Sequence, residues 1–130
     1  MINDKFILKH RKPVPCNDLL KWSHWYEKKQ RRVRSTYIGP YWISTVFLGL
    51  NHRFFGDGPP ILFETMVFNK LNPGEDLYSG RTCTWRHALK MHWHAVAIYK
   101  RRQKMNLVPR GFNTRRIYRA HDNTSEETER

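Results

Sequence analysis

Cysteines and long apolar runs are scarce in this chain of 130 residues. The two cysteines, Cys16 and Cys83, lie far apart and outside any metal-ligand spacing, which argues against a disulfide scaffold and predicts reduced thiols. The longest apolar run, Trp42 to Leu50, is far shorter than the roughly 20 residues of a membrane-spanning helix. Because the amino terminus also has no apolar segment of signal-peptide length, we expect a soluble intracellular protein with no membrane partner.

Acidic residues are also few, 11 against 24 basic ones, and the positive excess is unevenly distributed. The net charge is +7 over residues 1 to 36, −2 over residues 37 to 80, +7 over residues 81 to 105 and +1 over residues 106 to 130. Positive potential concentrates anions around a protein. The partner is therefore predicted to be nucleic acid or an acidic protein, unless the charge only keeps the surface soluble.

The length fits one domain whose core needs neither disulfides nor a structural metal. Aromatic residues make up 14% of the chain, and five of them are tryptophans, which favours an ordered domain. The periodic apolar pattern is lost after residue 105. We predict a single α+β domain over residues 1 to 105, followed by a flexible tail over residues 106 to 130 that is basic and then acidic.

Apolar residues recur at three- and four-residue spacing in two segments, which predicts two amphipathic helices. An extended segment, Phe6 to Pro15, precedes the first helix because its prolines forbid helix, and either Asn17 or Asp18 caps that helix. The second helix is predicted from Trp85 to about Lys104, capped by the preceding threonine. The predicted apolar faces consist of Leu19, Trp22, Trp25 and Tyr26 in the first helix and of Trp85, Ala88, Leu89, His92, Ala95, Val96 and Tyr99 in the second.

Three strands are predicted between the helices. Val33 to Tyr37 and Tyr41 to Leu50 flank a Gly-Pro break and predict a hairpin, and Ile61 to Phe68 predicts a third strand. Because Trp42 to Leu50 is apolar on both alternating sides, we expect it to be a central strand covered on both faces. The predicted fold is α+β: a three-stranded, mostly antiparallel sheet packed by two amphipathic helices, with the residues from Asn69 to Gly80 forming a surface loop.

No catalytic motif of established specificity occurs in the chain, and we assign no catalytic residue, metal or cofactor. The candidates for chemistry are His52, next to an unusual Gly- and Pro-rich loop, Glu64, the one ionisable residue of the third strand, and His92. If the second helix covers the sheet, His92 and Glu64 form a buried pair that is either structural or catalytic. With His52 they could instead contribute to a metal-dependent hydrolase or nuclease.

Aromatic residues are interleaved with cations in both helices, a pattern in which bases stack on rings while cations neutralise phosphates. The same aromatic residues also suit a core. No helix-turn-helix, zinc-finger or RNA-recognition signature is present, so any binding is expected to be electrostatic and sensitive to salt. The residues predicted to contact nucleic acid or another partner are Lys21, Lys28, Lys29, Arg31, Arg32, Arg34, Lys100, Arg101, Arg102 and Lys104.

The central segment STVFLGLNHRFFGDGPPILFETMVF, Ser44 to Phe68, is followed by Tyr78, by the pair Thr84-Trp85 and by His92. With PVPC and DLLKW upstream, this pattern resembles a small family of proteins encoded by tailed bacteriophages and prophages. The resemblance covers roughly residues 13 to 95 and brings no activity with it. It implies a phage-encoded accessory protein in the cytoplasm of the infected bacterial host.

The chain departs from the family pattern at Asn51, where an aspartate is usual, and in the basic residues of the second helix, where acidic ones are common. Three function classes stay open: an accessory protein that binds nucleic acid or a nucleic-acid-bound host complex, an inhibitor or adaptor that binds an acidic host protein through its acidic surface, and a small metal-dependent hydrolase or nuclease. The residues for which the resemblance implies a common structural site are His52, Glu64, Thr84, Trp85 and His92.

Overall fold

A computed structural model describes residues 4–105 of the chain; the predicted tail at residues 106–130 lies outside the described part. The fold is α+β, as predicted, with a two-stranded hairpin and a four-stranded antiparallel sheet in the order β3-β4-β5-β6. The elements in chain order are β1 (Phe6–Lys9), β2 (Lys12–Pro15), α1 (Leu19–Lys28), β3 (Arg32–Ile38), β4 (Tyr41–Phe47), β5 (Phe63–Asn69), β6 (Ser79–Thr82) and α2 (Trp85–Met105).

The prediction of three strands in the sheet is wrong, because a fourth strand, β6, pairs with β5. This strand reads Ser-Gly-Arg-Thr, which has neither apolar alternation nor a run of β-branched residues, and it lies partly in the segment predicted as a loop. It is held by the ladder to β5, in which Glu64 pairs with Arg81 and Phe63 with Thr82. Pairing with β5 thus determines the strand conformation of a segment that has little strand propensity of its own.

The amino-terminal segment, predicted to be extended, folds into the hairpin of β1 and β2. Its turn consists of His10 and Arg11, which both have positive φ angles, 52° and 68°. Two consecutive left-handed residues are typical of the tight hairpin turns that usually contain Asn or Gly. The sequence at this turn therefore carries no hairpin signal, although its strands were correctly expected to be extended.

Helix α1 begins where predicted, because the Asp18 carboxylate accepts hydrogen bonds from the backbone N–H groups of Leu20 and Lys21 at 3.0 and 3.2 Å. It does not cover the sheet as expected. None of its residues is buried; Trp25 meets Phe47 edge to face at 5.6 Å at one end of the sheet. The sheet is therefore packed by one helix, α2, rather than by two.

Helix α2 lies across one face of the sheet, contacting β3, β4, β5 and β6. Two buried apolar clusters fill this interface. Three buried polar side chains, Thr45, Thr65 and His92, lie between the clusters along the strands and the helix. The clusters consist of Tyr41, Ile43, Val67, Leu77, Tyr78, Met91, Ala95, Val96 and Tyr99 at one end and of Phe6, Phe47, Leu62, Phe63 and Ala88 at the other.

The other face of the sheet, which we call the open face, fits only in part the expectation that the central strand is covered on both sides, because Ser44 is buried there and Trp42 is half-buried. Strand β4 is central, between β3 and β5. Yet Tyr37, Met66 and Phe68, which point away from α2, are 58%, 36% and 39% exposed. Within residues 4–105, no helix or strand packs on them.

Candidate functional site

Helix α2 carries His92 into the centre of its interface with the sheet, where the side chain is fully buried. Its Nδ1 lies 2.8 Å from the Thr45 hydroxyl and its Nε2 lies 2.8 Å from the Thr36 hydroxyl. The Thr45 hydroxyl lies 2.6 Å from that of Thr65. Burial, and secondarily the positive charge of Arg34, lower the pKa of His92 from 6.5 to about 4.

These contacts give the histidine a structural role. Each threonine hydroxyl can donate or accept, so a neutral imidazole is satisfied at both nitrogens in either tautomer. The ring thereby joins α2 to β3 through Thr36 and to β4 through Thr45. A neutral ring enclosed in this way is hydrogen-bonded without any carboxylate.

Glu64 lies on the open face, and this corrects the expected buried pair with His92. Along β5 the buried residues Thr65 and Val67 alternate with Glu64 and the exposed Met66, so the carboxylate points away from α2. The sequence separated these two sets of side chains but could not tell which side the helix would cover. The Glu64 Oε2 accepts a hydrogen bond at 2.8 Å from Nε of Arg81, its direct partner on β6.

His52 stands at the base of the loop between β4 and β5. Its Nδ1–H donates to the Leu50 carbonyl at 2.8 Å. The neighbouring Asn51 side-chain oxygen accepts from the backbone N–H groups of Arg53 at 2.8 Å and Ile61 at 3.0 Å, which closes the loop. These bonds need only an oxygen at residue 51, so an aspartate at this position could make them too.

The candidates for chemistry do not converge. Thr84 caps α2 by accepting from the His87 N–H at 3.1 Å, and the Trp85 ring meets Phe63 and the guanidinium of Arg11. The five residues for which a common structural site was implied thus have separate partners in the fold. Among residues 4–105, no group of three or more His, Cys, Asp or Glu is arranged to hold a metal ion. The geometry therefore gives no support to the metal-dependent hydrolase.

The first block of predicted basic residues, Lys21 to Arg34, lies along α1 and at the start of the edge strand β3. Lys21, Lys28 and Lys29 line a shallow groove along α1. The Arg31 guanidinium lies 3.8 Å from the centre of the Tyr26 ring. The rest of the block, Arg32 and Arg34, lies on β3 and is exposed.

The two β3 arginines and the end of α2 continue this basic surface. The Arg34 guanidinium lies 5.1 Å from the centre of the Trp93 ring of α2. The last turn of α2 contacts the turn between β3 and β4. Gln103 lies so close to Gly39 that a Cβ added to this glycine would be 2.8 Å from the Gln103 side chain. Lys100, Arg101 and Lys104 are exposed in these final turns.

We call this line of cations the basic border; it consists of Lys28, Lys29, Arg31, Arg32, Arg34, Lys100, Arg101 and Lys104. In the described part of the chain, no carboxylate lies within 4.0 Å of these side chains. The tenth predicted cation, Arg102, differs, since it lies 3.9 Å from the Glu75 carboxylate and near the rings of Tyr41 and Tyr99.

Most of the helix aromatics that were predicted to stack with bases have structural contacts. The Trp22 indole N–H donates to the carbonyls of Phe6 and Gly49 at 3.0 and 3.1 Å, and Tyr99 is fully buried. Trp93 is the exception, being 44% exposed. The helices therefore present mainly charge rather than aromatic rings.

The aromatic surface lies instead on the open face, which the sequence analysis missed. Tyr37, Trp42 and Phe68 form a row across β3, β4 and β5, which we call the aromatic row. The Tyr37 and Trp42 ring centres are 6.1 Å apart with planes 10° from parallel, and those of Trp42 and Phe68 are 5.3 Å apart. The Trp42 N–H donates to the Ser35 hydroxyl at 2.7 Å, which orients the indole. The available signal was the alternation of Phe68 and Met66 with buried residues.

Comparisons of the chain with protein-family models, with curated proteins and with solved structures give no match. Its relation to a phage family therefore stays a prediction from the resemblance. Across residues 4–105, neither helix combines the length and the apolar character that crossing a membrane requires.

Proposed function

We propose that the protein is a small phage-encoded accessory protein that binds nucleic acid, free or within a host complex, through the basic border. The supporting observation is the grouping of eight cations along one edge strand and the adjoining helix ends, with no carboxylate of residues 4–105 in ion-pair distance. A polyanion bound along this line would release counterions from its phosphates, which favours binding at low salt.

The placement of the arginines on β3 is the informative part. Cations in the last turn of a helix are favoured by the helix dipole, which accounts for Lys28 in α1 and Lys104 in α2. Arg32 and Arg34 lie in a strand, where that effect does not operate. Cations also discourage an edge strand from pairing with other chains. The test therefore has to separate a binding role from a general effect of surface charge.

The test measures binding of fluorescent single-stranded and duplex oligonucleotides by anisotropy as a function of salt. Each phosphate contact contributes a slope of about −0.7 for single strands and about −0.9 for duplex DNA to the dependence of log K on log salt. The double substitution Lys28→Gln, Lys29→Gln should therefore reduce the slope by up to about 1.4 or 1.8. The matched control is Lys9→Gln, Lys12→Gln, which removes two equally exposed charges from the amino-terminal hairpin.

Two results would contradict the proposal. Failure to bind either oligonucleotide at about 50 mM salt would remove nucleic acid as the partner. An equal loss of slope in the control would show that net charge, and not the basic border, determines binding. A loss confined to the border variant supports the proposal.

A second candidate, an inhibitor or adaptor of a host protein, is favoured by a different observation. Phe54 and Phe55 in the loop between β4 and β5 are 71% and 89% exposed. Adjacent apolar side chains in solvent are typical of protein contacts. Recovery of one host protein from nuclease-treated lysate by the tagged wild type, but not by the Phe55→Ala variant, would support this candidate. Recovery that disappears with nuclease treatment would support the first.

A further inference from the structure

The open face combines exposed aromatic rings with cations, and packing of the core does not account for either. Its Tyr37 and Phe68 side chains are 58% and 39% exposed, beside a Met66 that is 36% exposed. Large apolar groups that serve only packing are normally turned inward, and the opposite face of the same strands already supplies the core. A contiguous group of exposed apolar side chains on a sheet indicates a binding surface.

Charges next to the aromatic row are predominantly positive. The Arg32 guanidinium lies 5.2 Å from the centre of the Trp42 ring, and the Lys70 ammonium lies 4.4 Å from the centre of the Tyr37 ring. The acidic residue that the described strands contribute to this face, Glu64, is paired with Arg81 at 2.8 Å. The surface thus provides rings and cations together, which suits a ligand that has both flat apolar groups and negative charge.

Unpaired nucleotides have this combination. Successive bases stack on aromatic side chains regardless of sequence, while lysine and arginine contact the phosphates. A four-stranded sheet with aromatic residues on its uncovered face is one way in which proteins stack two or three bases of a single-stranded RNA. In a duplex the bases are stacked on each other, so the flat open face could not reach them.

We propose that the open face binds single-stranded nucleic acid, with bases stacked on the aromatic row and phosphates held by Arg32 and Lys70. This inference rests on the proposed function and specifies the form of nucleic acid and its site. The rings of the row are 6.1 and 5.3 Å apart, so neighbouring bases of one strand would occupy neighbouring rings. Arg32 and Lys70 lie close enough to those rings to contact the phosphates of the nucleotides whose bases are stacked there.

The experiment compares Tyr37→Ala and Phe68→Ala with the matched control Phe55→Ala, which removes an exposed ring outside the open face. Binding is measured with single strands of about 16 nucleotides, the upper end of common site sizes, and with a duplex of the same sequence. Loss of one stacked base corresponds to a weakening between about fivefold and 150-fold. We expect that loss for single strands with both open-face variants, little change for the duplex, and no change for Phe55→Ala.

A second measurement does not depend on the variants. Ultraviolet crosslinking of the wild-type chain to a single strand containing 5-bromouracil, followed by mass spectrometry, should attach nucleotides to Tyr37, Trp42 or Phe68. Far-UV circular dichroism checks that each variant is folded. In addition, Lys70→Gln should reduce the salt slope for single strands by about 0.7.

The results separate the two proposals. If single strands and duplex both fail to bind, the proposed function and this inference fail together. If binding persists with unchanged affinity in folded Tyr37→Ala and Phe68→Ala, and crosslinks map only to the basic border, this inference alone is overturned. A wild-type dimer that is lost in Phe68→Ala would assign the open face to a second copy of the chain and would likewise overturn it.

Discussion

The buried histidine predicts that the stability of the protein falls as the pH is lowered through the range between 6.5 and 4. The pKa of His92 is lowered from 6.5 to about 4 in the folded chain, mainly by burial. Between these values the unfolded chain binds a proton that the folded chain does not, so acid favours unfolding. The stabilisation is fully present above pH 6.5 and is lost as the pH falls towards 4.

The size of the effect follows from the two pKa values. A complete loss corresponds to at most about 3 to 4 kcal/mol, since one pKa unit is worth about 1.36 kcal/mol and the pKa of His92 falls from 6.5 to about 4. Between pH 7 and pH 5 the linkage relation gives a loss of about 2 kcal/mol in the free energy of unfolding. The hydroxyls of Thr45 and Thr36 that contact the ring are uncharged, and the charge that acts on it, that of Arg34, is positive, so these neighbours do not compensate the added proton.

The assay is urea unfolding followed by tryptophan fluorescence at pH 7 and pH 5, for the wild type and for His92→Gln. The variant is less stable at pH 7 but should lack the part of the pH dependence that His92 contributes, about 2 kcal/mol. His24→Gln, which removes an exposed histidine of α1, is the matched control and should keep the wild-type profile. Equal losses in the wild type and in His92→Gln would refute the reasoning, as would an NMR titration showing the His92 ring charged at pH 5.5.

Three further substitutions test the packing. Gly49→Ala should destabilise by about 1–3 kcal/mol in thermal unfolding, because Gly49 has a φ of 79° and an added Cβ would lie 3.0 Å from the Tyr26 ring; an unchanged melting temperature would contradict this. Tyr99→Phe should cost about 1–3 kcal/mol in urea unfolding, since the buried Tyr99 hydroxyl accepts from the Tyr78 N–H at 3.0 Å, and a neutral result would mean that this bond contributes nothing. Thr45→Val, nearly the same in shape, should cost a similar amount by leaving a histidine nitrogen unpaired, and a more stable variant would show that the polar layer is dispensable.

The elements that the sequence predicted best are those with local signals. Proline breaks, the cap at Asn17 or Asp18 and the β-branched run from Tyr41 onward placed the start of α1, both ends of α2 and three strands close to their observed bounds. Each of these signals acts within a few residues. Elements whose stability depends on such local choices are recoverable from the chain alone.

The hairpin of β1 and β2 and the strand β6 escaped prediction for two different reasons. In the hairpin, the turn residues His10 and Arg11 adopt a left-handed conformation that is uncommon for residues other than glycine. Strand β6 contains a glycine and an exposed arginine, and pairs with β5 across an intervening loop. In β6 the ladder hydrogen bonds to β5 outweigh weak local preference, whereas the two strands of the hairpin are close in sequence and lack only a turn signal.

The open face was hidden for a different reason. Alternation along β5 correctly divided its side chains into two sets, but both sets are apolar enough to resemble core. Whether α2 covers Thr65 and Val67 or Met66 and Phe68 depends on the registry of helix and sheet, which the strand pattern does not contain. The same uncertainty produced the mistaken pair of Glu64 with a buried histidine. An exposed aromatic surface and a core surface can have the same composition, so only the three-dimensional packing distinguishes them.

Arg32 connects the two surfaces for which we have argued. It belongs to the basic border through its position at the start of the edge strand, and to the open face through its contact with the Trp42 ring. A single nucleic-acid strand bound along the basic border could therefore continue directly onto the aromatic row, because both surfaces include residues of β3. The border would supply attraction that depends on salt, and the rings would supply stacking that depends little on it. Such a division explains how a chain with no sequence-reading motif could still prefer single strands over duplex.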